Sequence, residues 1–171
     1  MLTRLFQEMI RYDAGSPQRI QHFGKVHAFA KLIGELEGLD PEVLRTLEAA
    51  AYVHDIGIKP AEEKYGSRDG KLQEREGPPE ARKLLERLGF EEPLVQRVCF
   101  LVGRHHTYTG IDGPDYQILV EADFLVNLYE KGAGPEAVRA ACERIFRTPG
   151  GKRICREMFQ IEQTSTEEIR R

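Results

Sequence analysis

The chain of 171 residues has no tryptophan, three cysteines and no excess of one charge, and each shortage removes a class of protein. Cys99, Cys142 and Cys155 are odd in number and lack the paired spacing of a zinc knuckle, so they read as reduced, mostly buried thiols of a cytoplasmic protein. A net charge of −3 gives no electrostatic reason to expect polymeric nucleic acid or a membrane surface as partner. No stretch approaches the roughly 18 apolar residues of a membrane span. The amphipathic start Met1-Leu2-Thr3-Arg4-Leu5-Phe6-Gln7 lacks the apolar run of a signal peptide. Alternating strand patterns are nearly absent, as are repeats, low-complexity tracts and linkers.

What is present is helical periodicity. Leu2, Leu5, Phe6, Met9 and Ile10 mark a first helix, ended by Asp13-Ala14-Gly15. Ser16-Pro17 opens a long helix that Gly38 closes, and Asp40-Pro41 repeats the start signal. From Ile58 to Gly77 the pattern fails, which predicts a long functional loop. Pro78-Pro79 restarts a helix, and Glu92-Pro93 begins another that runs to His105-His106. Thr107 to Pro114 reads as a second loop, with Asp115 capping the helix behind it. Gly134-Pro135 opens one more helix, which Pro149-Gly150-Gly151 breaks, and Ile154 to Ile161 forms a last short one. The polar tail from Gln163 is expected to fray. The fold class is therefore all-α: a single compact domain of about seven helices over residues 1–171.

Three of these helices carry an ionisable residue on an apolar stripe. His22 shares a face with Val26 and Phe29, His54 with Leu47 and Ala50, and Asp123 with Leu119 and Val126. Aspartate is almost never buried without a partner, so Asp123 is the most informative oddity. Each residue alone reads equally well as a satisfied core or capping group. Together, His22, His54, Asp55 and Asp123 supply two nitrogens and two oxygens, a set suited to a divalent metal such as Mn, Fe, Co, Ni or Zn. Such an ion activates water and polarises a phosphoryl oxygen.

The segments His22-Phe23-Gly24-Lys25-Val26, Ala51-Tyr52-Val53-His54-Asp55-Ile56-Gly57 and Glu121-Ala122-Asp123-Phe124-Leu125 resemble the signatures of the HD-domain superfamily of metal-dependent phosphohydrolases. The resemblance spans about residues 16–130, leaving 134–171 as C-terminal helices and tail. It implies His22, His54, Asp55 and Asp123 as ligands of one tightly held divalent ion (Mg included), with a second weaker ion allowed. It also implies attack of activated water on a phosphoester or phosphoanhydride, of a nucleotide or another small phosphorylated metabolite. Related ligand frames serve di-iron oxygenases, and a non-catalytic nucleotide sensor is a third reading.

Two departures from the family pattern stand out. Ile58 occupies the place of the lysine that follows His-Asp-Ile-Gly, and Lys59 comes one residue late. The histidine that binuclear members carry before the final Asp is missing; Gln73, Glu74 and Glu76 stand in that region. Glu74 or Glu76 is a conceivable ligand, and equally a solvated charge. His105-His106 follows a stripe containing Val98 and Val102, which predicts that His106 faces inward as a ligand, a hydrogen-bond donor or a general acid. Asp55, Lys59 and His106 are the catalytic candidates; Lys25, Arg104 and His105 are the substrate-binding candidates. Tyr52, Tyr108 and Tyr116 could stack on a base or belong to the core. His27, off the stripe, reads as structural or exposed.

Overall fold

The computed structural model describes residues 1–161, so the tail from Gln163 lies outside the described residues. Among them the chain forms nine helices and no strand: α1 (Leu2–Tyr12), α2 (Pro17–Leu36), α3 (Pro41–Val53), α4 (Ile58–Tyr65), α5 (Gly70–Arg87), α6 (Glu92–Val102), α7 (Pro114–Glu130), α8 (Pro135–Arg144) and α9 (Pro149–Phe159). Helix α3 is the hub and packs against α1, α2, α6 and α7. Its run Ala49-Ala50-Ala51 is wholly buried, and such small side chains let four neighbouring helices approach one axis. Leu47 and Val53 complete that face, and the hydrophobic cluster continues through Val26, Ile33, Leu85, Leu101, Leu119 and Val126. Cys142 and Cys155 are buried, Cys99 is half-buried, and all three are free thiols.

Local signals explain most helix starts. The Asp40 side chain accepts from the Glu42 N–H at 2.9 Å, with Pro41 in the first turn of α3. Such a cap is worth about 1 kcal/mol. Four expectations need correction. The segment 58–77 is not a loop: Gly57 leads directly into α4, and Gly66, at φ 63°, ends it in the left-handed conformation. Asp69 then caps α5 through the Lys71 N–H, nine residues before Pro78. Pro78 and Pro79 thus lie inside α5, where they deprive the carbonyls of Glu74 and Arg75 of their usual donors. Tertiary contacts hold the helix together around them: Gly77 lies against Gly57, and Ala81, Leu84 and Leu85 are buried. Asp115 does not cap α7, whose N-cap is Gly113; its carboxylate instead receives Arg97 in a two-pronged bridge at 2.8 and 2.7 Å. Finally, Pro149 starts α9 rather than breaking the chain there, with Thr148 as cap accepting from the Gly151 N–H. Helix α4 is the added element, and the described residues hold nine helices rather than about seven.

A candidate metal centre between five helices

The chain turns sharply after α3 and again after α6, and each turn delivers a histidine in the same way. At the end of a helix the last carbonyls have no helical donor. His54 uses Nδ1 to donate to the carbonyl of Ala51 at 2.8 Å, and His105 does the same to Val102 at 2.8 Å. Because a carbonyl only accepts, both Nδ1 atoms carry hydrogen and both Nε2 atoms point onward. His54 is 0% and His105 1% exposed. Their Nε2 atoms are buried without any hydrogen-bond partner. A buried polar atom left unmatched is costly, and a pair of them aimed at one place calls for a ligand.

Carboxylates surround that place. Asp55 Oδ2 lies 3.5 Å from His54 Nε2 and 3.5 Å from His22 Nε2, while its Oδ1 lies 3.3 Å from His105 Nε2. Asp123, from the middle of α7, sits 3.1 Å from His22 Nε2 and 3.6 Å from His54 Nε2. The donor atoms of His22, His54 and Asp123 fall within 4.8 Å of one another, as do those of Asp55, His105 and His106. The two groups adjoin through Asp55, whose oxygens face one group each. Two orphaned imidazole nitrogens beside two acidic oxygens are a donor set that fits a divalent cation of the transition series.

Electrostatics in the cluster say the same in protons. Burial pulls the His54 imidazole down, yet the charges of Asp55 and Asp123 outweigh it and raise its pKa to about 9. His22 is also raised: burial opposes, and the hydrogen bond to Asp123 prevails. Burial pushes the Asp55 and Asp123 carboxyls up, but the imidazoles around them hold both below the ordinary carboxylate range. Protons therefore stand where a cation would. His106 behaves oppositely, as burial and the neighbouring His105 lower it to about 4. It is neutral at pH 7, which among the three roles expected of it suits a ligand better than a general acid.

The site residues expected from the sequence divide sharply. His22, His54, Asp55 and Asp123 converge, and both His105 and His106 reach the same cluster. His105 is not at the substrate side: it is the more deeply buried of the pair and points at Asp55. Lys59 turns away, its Nζ 3.2 Å from the Tyr12 carbonyl and above the Tyr12 ring, because the turn at Gly57 leads into a helix that carries it to the outside. Arg104 lies over the Phe100 ring on the exposed side. Lys25 is neutralised by Glu130 at 2.7 Å. Neither Glu74 nor Glu76 reaches the cluster; Glu74 accepts from the His106 N–H and from Thr107, and Glu76 faces Lys64, Tyr65 and Arg75. Tyr52 stacks on Phe6 and His27 in the core, and Tyr116 holds its hydroxyl against the carbonyls of Arg104 and Thr107. His27 is structural, bonded to Glu48 at 2.9 Å.

Two residues escaped the sequence reading. Glu130 accepts from His22 Nδ1 at 2.9 Å and so fixes that ring; Asn127 donates to Asp123 Oδ1 at 2.7 Å. Both follow Asp123 at helical spacing, i+4 and i+7, a signal legible once Asp123 is singled out. Gln73 meets His106 Nε2 at 3.1 Å through its amide oxygen, in the region where the expected histidine is missing.

An all-helical frame whose helices bring His and Asp side chains into one buried cluster defines a class. The chain matches the HD-domain family over residues 19–142, most of its length, and it belongs to that family. It is also similar to a solved structure from an uncultured Thermotogales bacterium, described as a predicted HD superfamily hydrolase. The two share 25% identity with a TM-score of 0.64, over 93% of this chain and 83% of that one. No curated protein matches the chain.

Proposed function

We propose that the protein is a metal-dependent phosphohydrolase that cleaves a phosphoester or phosphoanhydride of a small metabolite, nucleotides included. The observation that supports it is the pair of buried, unpartnered Nε2 atoms of His54 and His105 on either side of Asp55. His22, His54, Asp55 and Asp123 would hold one cation tightly. His105, His106 and Asp55, with only the amide of Gln73 beside them, would hold a second more weakly. A divalent ion bound there supplies Lewis acidity, which makes water nucleophilic at neutral pH and polarises a phosphoryl oxygen. The chain's own residues do the rest. Ala51, Val102 and Glu130 orient the three imidazoles, and Asn127 orients Asp123. Arg68, Lys71 and Lys131 line the cleft above the cluster and would receive the phosphate charge that Lys25, Lys59 and Arg104 do not meet.

The test is direct. Protein loaded with manganese, cobalt or nickel should hydrolyse a generic aryl phosphate, and His54→Ala or Asp55→Ala should abolish turnover. Hydrolysis that persists in both variants would overturn the assignment.

A further inference from the structure

The cleft above the histidines encloses about 660 Å³, room enough for a nucleotide, so size does not select the ligand. Its walls do. Among the described residues Ile58 is the only wholly hydrocarbon side chain that lines it, and its only rings are the imidazoles of His22 and His106, which belong to the candidate cation cluster. The exposed tyrosines nearest in sequence to the site are engaged elsewhere: Tyr108 packs edge-on against Phe124, Tyr129 lies under Lys25 and Tyr65 under Arg75. A nucleobase needs an apolar or aromatic face, since stacking on one contributes about 1–3 kcal/mol per base and base pockets are lined mostly by such side chains.

The walls offer donors instead. Arg19, Arg68, Lys71 and Lys131 face the cleft, with Gln18 at its edge. Arg19 and Arg68 share Glu62, and Lys71 is paired with Glu74, so these three are held in place. Lys131, at the end of α7, has no acidic partner among the described residues. Charged donors around a cavity whose lining side chains, Ile58 apart, carry polar or charged groups recognise hydroxyl groups and phosphate oxygens. Resting on the phosphohydrolase reading, we infer that the ligand is a hydroxyl-rich phosphate monoester, a sugar or polyol phosphate, and that nucleotides are disfavoured. In the reaction water adds to phosphorus and the P–O bond to the sugar oxygen breaks. That oxygen takes a proton from the water, and orthophosphate and the free polyol leave.

The experiment pairs turnover with binding, so that the two readings fail separately. Manganese-loaded protein is given glucose 6-phosphate, glycerol 3-phosphate, AMP and an aryl phosphate, and hydrolysis and thermal stabilisation are measured for each. The expected result is a kcat/KM for the sugar and glycerol esters at least about ten-fold above that for AMP, and a larger rise in Tm. Lys131→Ala should weaken the stabilising effect of both esters about ten-fold, as expected for loss of a hydrogen bond to a charged group. Aryl phosphate turnover with AMP preferred would overturn the ligand class and leave the reaction standing. Stabilisation by the sugar esters, weakened in Lys131→Ala but with no ester cleaved, would support the ligand class and overturn the reaction. If no sugar ester shifts the melting curve, the inference falls.

Discussion

His22 Nε2 lies 3.1 Å from Asp123 Oδ1 across 101 residues of chain. That contact joins α2 to α7, two helices that also pack extensively, and it lies in a nearly buried site: His22 is 9% and Asp123 5% exposed. In such a position neither partner is tolerable alone, because removing one leaves an uncompensated charge or an orphaned donor. The imidazole is held from behind as well, by Glu130 at 2.9 Å.

Glu130→Gln tests that support. A carboxylate behind a ligating imidazole fixes its tautomer and raises its basicity, and losing such partners typically costs about 10–100-fold in metal affinity or activity. The expected outcome is a 10–100-fold weaker manganese affinity by calorimetry with the fold retained by circular dichroism. An unchanged affinity would show that Glu130 serves only Lys25.

The pH dependence of the metal-free protein follows from His54. Its pKa is about 9 in the folded chain and near 6.5 when unfolded, so between those values the folded state holds the extra proton. A raised pKa contributes stability that is complete below pH 6.5 and is lost as pH rises through about 9. The chelated protein should therefore lose Tm steadily from pH 6.5 to 9, and His54→Ala should flatten that slope. Manganese displaces the same proton, so binding at pH 7 should release protons, measurable as a buffer-dependent binding enthalpy.

Gly57, in the turn carrying Asp55, lies against the backbone of helix α5 at Gln73 and Gly77. A Cβ on Gly57 would stand 2.4 Å from the Gln73 carbonyl oxygen and 2.9 Å from the Gly77 nitrogen, both backbone atoms that cannot swing aside. Gly57→Ala should cost about 1–3 kcal/mol of stability, as overpacked interiors do. Because Asp55 is two residues away, activity should fall together with the chemical-denaturation midpoint. A variant of unaltered stability would disprove the contact.

Glu121 makes a complementary case, a buried carboxylate near the site with a structural task. It is 0% exposed and accepts from Gln117 Nε2 and the N–H groups of Arg147 and Thr148 at 2.8, 2.6 and 2.9 Å, and from the Thr148 hydroxyl. It thereby pins the start of α9 to α7. Glu121→Leu would strand those donors at about 1–3 kcal/mol for each one left unpaired, so the Tm should drop by on the order of ten degrees or more while manganese affinity stays unchanged. A loss of metal affinity out of proportion to stability would instead place Glu121 in the site.

Much of this was written in local order. Start signals such as the Asp40 cap and the first-turn prolines Pro17 and Pro41, and the 3.6-residue spacing of apolar side chains, determine the helices and which face of each turns inward. They also determine that His22 and Asp123 sit on buried faces, since phase is kept within a helix. The run 58–77 was harder to read because α4 and α5 have polar surfaces, and their cohesion comes from Gly57, Gly77 and buried α5 residues meeting distant partners.

Only the tertiary structure decided what happens past a helix end. There the periodic phase is lost, and a turn of a few residues aims each side chain by whichever carbonyl or carboxylate it meets. That is why His105 rather than His106 lies deepest, and why the chain past Gly57 re-enters a helix that carries Lys59 to Tyr12. Residue types along the chain determined which atoms could grip a cation; the packing of α2, α3, α6 and α7 decided that they meet, because long-range contacts depend on how whole faces fit and not on any local spacing.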